Sequence, residues 1–200
     1  MEPNQGTNNQ LNASLWVENY ADYLYNFAFA RVRRQDIAED LVQDTFLSAY
    51  KAINTFQHNS SERTWLVAIL KRKVIDHFRK KSTQKELNIY DRDTKDDFMG
   101  NFFAGEGQYE GHWRSSGAPN QWGGQFETQV DKNEFNGILQ GCLGKLPEKW
   151  SAVFVLKNMD DMSSEEICKE LDITPSNYWV MMHRAKLQLR ECLEKNWVKK

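Results

Sequence analysis

The chain has 200 residues, 40% of them hydrophobic and 27% charged, with a formal net charge of -2 at pH 7. At roughly 100 to 200 residues per domain this supply of apolar side chains fills one ordinary core or two small ones. The mild negative charge excludes a protein that coats nucleic acid indiscriminately, because phosphate affinity comes mainly from Lys and Arg.

The polar start, MEPNQGTNNQ, has no basic segment followed by an apolar run, so no secretory signal is expected. No apolar stretch approaches the roughly 20 residues that a membrane-spanning helix needs. A soluble, cytoplasmic protein without membrane insertion is the expectation. Cys142, Cys168 and Cys192 are odd in number, widely spaced and set in apolar helical patterns, which argues for buried thiols and against a disulfide framework. Without a C-x-x-C pair, and with scattered histidines, neither a metal nor any other cofactor is expected.

After a polar tail, residues 1–14, expected to be disordered, the segment Leu15 to Phe29 repeats aromatic and aliphatic residues at helical spacing, with Tyr20, Tyr23, Leu24 and Phe27 on one face. Ala38, Leu41, Val42, Thr45, Phe46, Ala49, Tyr50 and Ile53 recur at three and four, and the opposite face carries Glu39, Asp40, Gln43, Asp44 and Lys51. A polar stretch, Gln57 to Glu62, precedes a third helix from about Arg63 to Lys81. Its apolar positions are Trp65, Leu66, Ile69, Leu70, Val74, Ile75 and Phe78, and Lys71, Arg72, Lys73, Arg79, Lys80 and Lys81 crowd its other face.

Periodicity then lapses between about Ser82 and Lys132, where Gly105, Gly107, Gly111, Gly117, Gly123, Gly124 and Pro119 gather. A structureless segment longer than about 12 to 15 residues argues for a linker between two domains. Phe98, Phe102, Phe103, Tyr109, Trp113, Trp122 and Phe126 make it too apolar for a plain solvated spacer, so part of it should fold against a surface. Its acidic residues, Asp91, Asp93, Asp96, Asp97, Glu106 and Glu110, follow the basic cluster directly.

A second helical block begins near Glu134 with the stripe Phe135, Ile138, Leu139, Cys142 and Leu143, and Leu146 and Pro147 open another helix that buries Val153, Phe154 and Leu156. Ser163 and Glu166 form a capping box, in which each side chain accepts from the other residue's backbone N–H. The helix it starts runs to Leu171, burying Ile167, Cys168 and Leu171; Asp172 and Ile173 turn the chain; Thr174 caps a longer helix with Pro175 in its first position. Tyr178, Met182, Ala185 and Leu189 form its buried stripe, leaving Ser176, Asn177, Trp179, Val180, His183 and Lys186 outward. Ser163 to Arg190 is thus a helix-turn-helix, whose second helix suits a major groove. The same spacing also occurs in structural helical hairpins, and glycine is commoner than Asp at such a turn.

Taken together, these blocks resemble the sigma-70 family of bacterial RNA polymerase sigma factors, specifically the small two-domain extracytoplasmic-function group. AEDLVQDTFLSAYKAINTF, 38–56, is similar to the family's polymerase-docking segment, TWLVAILKRKVIDHFRKK, 64–81, to its promoter-melting helix, and the stretch from Leu146 to Leu193 to its terminal helix-turn-helix domain. The resemblance implies an all-α protein of two small helical domains joined by a long flexible linker: residues 15–82, a linker over 83–133, and 134–200.

It also implies roles. Asp40, Leu41, Gln43, Asp44, Thr45 and Phe46 would meet the clamp helices of the largest polymerase subunit, with the flap region as a further polymerase contact. The loop from Phe56 to Arg63 would capture a base flipped from the minus-ten element, at a cost of a few kcal/mol that a fitted pocket must offset. Arg63, Lys71, Arg72, Lys73, His77, Arg79 and Lys80 would hold phosphates of the opening strands, and Trp65 either anchors the core or stacks on DNA. Ser176, Asn177, Trp179, Val180, Met181, Arg184 and Lys186 would read the minus-thirty-five element; Asn177 suits adenine. Many members carry basic residues at the positions of Trp179 and Met181, and Asn at that of Arg72, so no promoter sequence carries over. The linker, with HWR at 112–114 and QW at 121–122, resembles that of one subgroup. Its acidic residues either imitate nucleic acid in the polymerase channel or are solvated charge.

The expected protein is not an enzyme: it binds core polymerase, directs it to promoters and helps to open the minus-ten region, under the control of an anti-sigma factor. The alternative is a helix-turn-helix regulator acting without polymerase. That reading leaves the basic and acidic helix faces of the first domain unexplained.

Overall fold

In the computed structural model, which describes residues 12–82, 95–105, 110–115, 117–119 and 129–198, the regular elements are helices, accompanied by one isolated antiparallel bridge between Phe103 and Trp113. The residue 1–11 part of the tail, Asp91, Asp93, Glu106, Tyr109, Trp122 and Phe126 lie outside the described residues. Two units divide the chain, Met1–Asp76 and His77–Lys200, and the division falls within a helix. Among the described residues no helix is long and apolar enough to cross a membrane, and no group of three His, Cys, Asp or Glu could hold a metal ion.

In the first unit, α1 (Trp16–Val32) packs along α2 (Gln35–Lys51), and α3 (Glu62–Ser82) begins after a short 3-10 turn at Ile53–Thr55. The core comprises Trp16, Leu24 and Ala28 of α1, Ala38, Leu41, Val42, Thr45 and Ala49 of α2, and Leu66, Leu70 and Val74 of α3. Spacings of three and four put each set on one face. The packed face of α1 differs from the expected one: Trp16, Leu24, Ala28 and Arg31 are buried while Tyr23 is exposed. A phenol keeps its polar tip near water, and both tyrosines work at the rim. Tyr20 donates from its hydroxyl to Glu62 Oε2 at 3.2 Å, and the Arg63 guanidinium lies 5.2 Å over the Tyr23 ring.

Arg33 ends α1 in the left-handed region, at φ 58. Its three guanidinium nitrogens are shut away from solvent without a hydrogen-bond partner. Desolvation, with the charge of Arg31 second, lowers its pKa to about 10. Glycine has no left-handed penalty and no guanidinium to dehydrate. Arg33→Gly should therefore stabilise the first unit by about 1 kcal/mol. Urea unfolding followed by circular dichroism checks this; a midpoint below that of the parent protein would show that Arg33 contributes a net favourable contact.

In the second unit, α4 (Lys95–Gly100) is followed by a hairpin around Phe103 and Trp113, then by α5 (Gln129–Leu143), α6 (Glu148–Asn158), α7 (Ser164–Leu171), α8 (Pro175–Leu193) and a final π-type turn, Glu194–Val198. Helix α8 is the hub, packing on α5, α6, α7 and the final turn. Helix α6 buries Trp150, Ser151, Ala152, Val153, Val155 and Leu156, almost its whole circumference, as a helix enclosed by others must. Pro147 is its N-cap, one position earlier than expected.

Two expectations need correction. Cys142 and Cys192 are joined by a disulfide between α5 and α8, with Cα atoms 5.8 Å apart; Cys168 is the free thiol, and it is half-buried. The pair is 50 residues apart, so only the packing of α5 on α8 brings together positions that look unrelated along the chain. The region after Ser82 is also not uniformly irregular. It holds α4 and the hairpin, and α5 starts at Gln129, five residues before Glu134.

Candidate functional site

The helix-turn-helix is built by local hydrogen bonds that the sequence foretold. Ser163 N–H donates to Glu166 Oε2 at 2.8 Å and Glu166 N–H to Ser163 Oγ at 3.2 Å, closing the capping box of α7. This holds the Glu166 carboxyl below the usual range, chiefly through the Ser163 backbone N–H. Asp172 adopts the left-handed conformation at φ 53, and its N–H and that of Ile173 both donate to the Cys168 carbonyl. Asp tolerates this conformation through its short polar side chain. Thr174 Oγ1 then accepts from Asn177 N–H at 3.2 Å, and Pro175 opens α8.

Along α8, Tyr178, Met182, Ala185 and Leu189 are buried, and Ser176, Asn177, Trp179, Val180, His183 and Lys186 are exposed, Trp179 by 64%. The expected reading set is therefore split. Met181 and Arg184 are buried at 8% and 5% exposure. Arg184 lies beneath the linker, its Cζ 5.6 Å over the Trp150 ring and 6.0 Å over Phe98. Helical spacing alone could not reveal this, because the covering ring comes from α4.

The expected polymerase-facing residues of α2 are split in the same way. Asp40, Gln43 and Asp44 are exposed and Phe46 is half-buried. Leu41 and Thr45 belong to the core, with Thr45 fully buried and its hydroxyl donating to the Leu41 carbonyl at 2.7 Å. Two residues absent from the expected set, Leu47 and Tyr50, are exposed by 59% and 66% and extend the same surface. Leu47 carried a signal, a large apolar side chain outside the core periodicity; Tyr50 was counted in the apolar stripe and is exposed instead.

On α3, Arg63, Arg72, Arg79 and Lys80 are exposed, and Lys71, Lys73 and His77 are half-buried. Lys73 Nζ lies 3.9 Å from Asp44 Oδ2, joining a residue of the acidic set to one of the basic set. Within the second unit His77 Nε2 is 3.5 Å from Glu148 Oε1 and Arg79 Nη1 is 3.6 Å from Glu170 Oε2. The loop before α3 exposes Gln57, His58, Asn59, Ser60 and Ser61. Its base is an aromatic stack: Phe56 packs 4.8 Å from Trp65 and from His58, and Trp16 packs 5.9 Å from Trp65. Trp65 is thus the anchor of this loop. Ser61 Oγ accepts from Thr64 N–H at 3.2 Å, an α3 cap that the sequence reading missed.

The hairpin of the linker is seated on α8. Ala104 N–H donates to the His112 carbonyl and Arg114 N–H to the Phe102 carbonyl, at 2.9 and 2.8 Å. Phe103 stacks 4.4 Å from Trp113 and lies 6.4 Å from the His183 ring. Arg190 donates from Nη2 to the Gly117 carbonyl at 2.6 Å, with its Cζ 4.3 Å over Trp113 and 5.6 Å over Phe102. A Cβ at Gly117 would stand 2.9 Å from Phe102 Cα, so the close approach requires glycine.

Two family models match the chain, one described as Sigma-70 region 2 over residues 16–84 and one as Sigma-70, region 4 over residues 136–189. The chain is 38% identical over 183 residues to a protein of Haemophilus influenzae named "Probable RNA polymerase sigma factor", covering 92% of this chain and 90% of that one. It is 28% identical to the ECF RNA polymerase sigma factor SigW of Bacillus subtilis, covering 88% and 86%. Among solved structures it is similar to the sigma factor RpoE of Bartonella quintana, crystallised with the anti-sigma factor NepR. That match has 21% identity, coverage of 92% and 97%, and a TM-score of 0.42.

Proposed function

The chain belongs to the sigma-70 family, in its extracytoplasmic-function group, and we propose how its residues carry out that family's work. It is a promoter-specificity subunit: it binds core RNA polymerase, directs it to particular promoters and helps to open them, while the polymerase performs the chemistry. The observation that carries this reading is the presence in one chain of both matched regions, the first with a polar α2 face and a basic α3 face and the second with an outward row at the start of α8.

In this reading Asp40, Gln43, Asp44 and Phe46, with Leu47 and Tyr50 beside them, meet the clamp helices of the largest subunit, and the second unit meets the flap region. Leu41 and Thr45 support that surface from within. The loop over Gln57–Ser61 receives the flipped minus-ten base, and Arg63, Lys71, Arg72, Lys73, His77, Arg79 and Lys80 follow the strand phosphates. Ser176, Asn177, Trp179, Val180 and Lys186 read the upstream element. An anti-sigma factor that covers these surfaces is the expected regulator. Residues 15–82 and 134–200 are the functional domains, and the linker joins them.

Reconstitution with core polymerase tests the function: run-off transcripts from a set of candidate promoters should appear only when the chain is added. Absence of core binding at any salt concentration would favour the polymerase-independent regulator. Asn177 can offer both amide groups to one adenine, a pairing worth about 1 to 3 kcal/mol of discrimination. Asn177→Ala should relax base preference at one upstream position by roughly tenfold while leaving the minus-ten preference intact. Transcription from a library of upstream elements reads this directly, and an unchanged preference at every position would remove Asn177 from the base-reading set.

A further inference from the structure

Helix α8 carries three permanent cations, Arg184, Lys186 and Arg190. The linker hairpin and α4 engage two of them. Arg184 lies over Phe98, and Arg190 lies over Trp113 and Phe102 while donating to the Gly117 carbonyl. Lys186 stays exposed. At about 100° per residue, and taking Ser176 as zero, His183 points to about -20°, Arg190 to about -40° and Arg184 to about 80°. Both arginines therefore fall within the arc of the outward row, which runs from Lys186 at about -80° to Asn177 at about 100°. The described part of the covering segment is aromatic, with Phe98 against Phe102 and Phe103 against Trp113.

We propose that this hairpin is a displaceable cap on α8, and that it and the DNA backbone compete for Arg184 and Arg190. The inference rests on α8 being the DNA-reading helix; it adds Arg190, gives the already expected Arg184 a phosphate-binding role, and names the element that withholds both. The cap is held together internally, with Gly117 close against the Phe102 backbone and Phe103 packed on Trp113, and it meets the helix at His183, Arg184 and Arg190. Arg184 is 5% exposed and Arg190 half-buried beneath these rings, so a phosphate reaches neither guanidinium freely while the hairpin is seated. The apparent affinity of the capped chain for DNA is accordingly reduced by the fraction of molecules in which the hairpin is lifted.

The test uses the full chain and a 30-base-pair duplex of randomised sequence, with binding followed by fluorescence anisotropy across a salt series. Trp113→Ala combined with Gly117→Ala removes the ring over Arg190 and wedges Gly117, whose carbonyl Arg190 holds, away from the Phe102 backbone. Binding should tighten roughly tenfold, and the plot of log affinity against log salt should steepen by about one to two, near 0.9 for each phosphate gained. Unchanged or weaker binding by a variant of native helical content would overturn the cap.

A second measurement covers the case in which that variant misfolds. In the parent chain labelled with fluorotryptophan, the Trp113 resonance, assigned by its loss in Trp113→Phe, should move towards the solvent-exposed position on saturation with the duplex. A resonance that stays in place also overturns the proposal. Lys186→Ala separates the two layers of the argument: it should lower the salt slope by about one in both backgrounds. If it does, and the wedge does not strengthen binding, the cap alone is wrong; if it does nothing, α8 is not the DNA face and both fall.

Discussion

Asp44→Arg should abolish promoter-dependent transcription by weakening core polymerase binding at least about thirtyfold, the equivalent of roughly 2 kcal/mol for a charge reversed at the centre of an interface. Asp44 is exposed on the polar face of α2, one turn from Asp40 and beside Gln43. Its pairing with Lys73 at 3.9 Å joins an exposed carboxylate to a half-buried lysine, and ion pairs at the surface contribute about 0 to 1 kcal/mol. The substitution should therefore leave the first unit folded, as circular dichroism and urea unfolding would verify. Competition against a labelled parent chain for limiting core polymerase measures the loss. Parent-like competition by Asp44→Arg would move the interface off this face of α2.

Trp150→Ala should have the largest effect on the second unit. The indole is buried on α6, with Phe98 at 5.4 Å and the Arg184 guanidinium carbon at 5.6 Å over its ring. Truncating a buried tryptophan costs roughly 3 to 5 kcal/mol through lost burial and the cavity left behind. That is a large share of the 5 to 15 kcal/mol that typically holds a small domain together. The expected result is a second unit that is cleaved readily in limited proteolysis, with loss of upstream-element dependence. Core binding through the first unit should persist. A shift below about 1 kcal/mol in the unfolding transition of the second unit would mean that Phe98 and its neighbours collapse to fill the space.

Much of the fold was legible because its signals are local. The capping box of α7, the proline at the start of α8 and the three-and-four spacing of apolar residues act within a turn or two of helix. They located α1, α2, α3, α7 and α8 to within a few residues. Assigning side chains to surfaces was less secure. Leu41 and Thr45 lie on the apolar stripe that the spacing marks and point inward where α2 packs on α1, although the resemblance assigned them to the polymerase-facing set. Tyr23 fits the apolar rhythm of α1 yet stays exposed, with the Arg63 guanidinium over its ring.

Local signals sufficed for the helical class, the helix-turn-helix with its two caps, the division of acidic and basic faces between α2 and α3, and the resemblance that led to the family. All of these depend on residues close together in the chain. Tertiary structure alone decided the Cys142–Cys192 bridge across 50 residues, the bond from Arg190 to Gly117 across 73, and the burial of Arg184 beneath Phe98 and Trp150. The physical reason is the same in each case. Arginine, cysteine and glycine take their roles from whichever surface arrives beside them, and no periodicity announces a partner supplied by a distant turn.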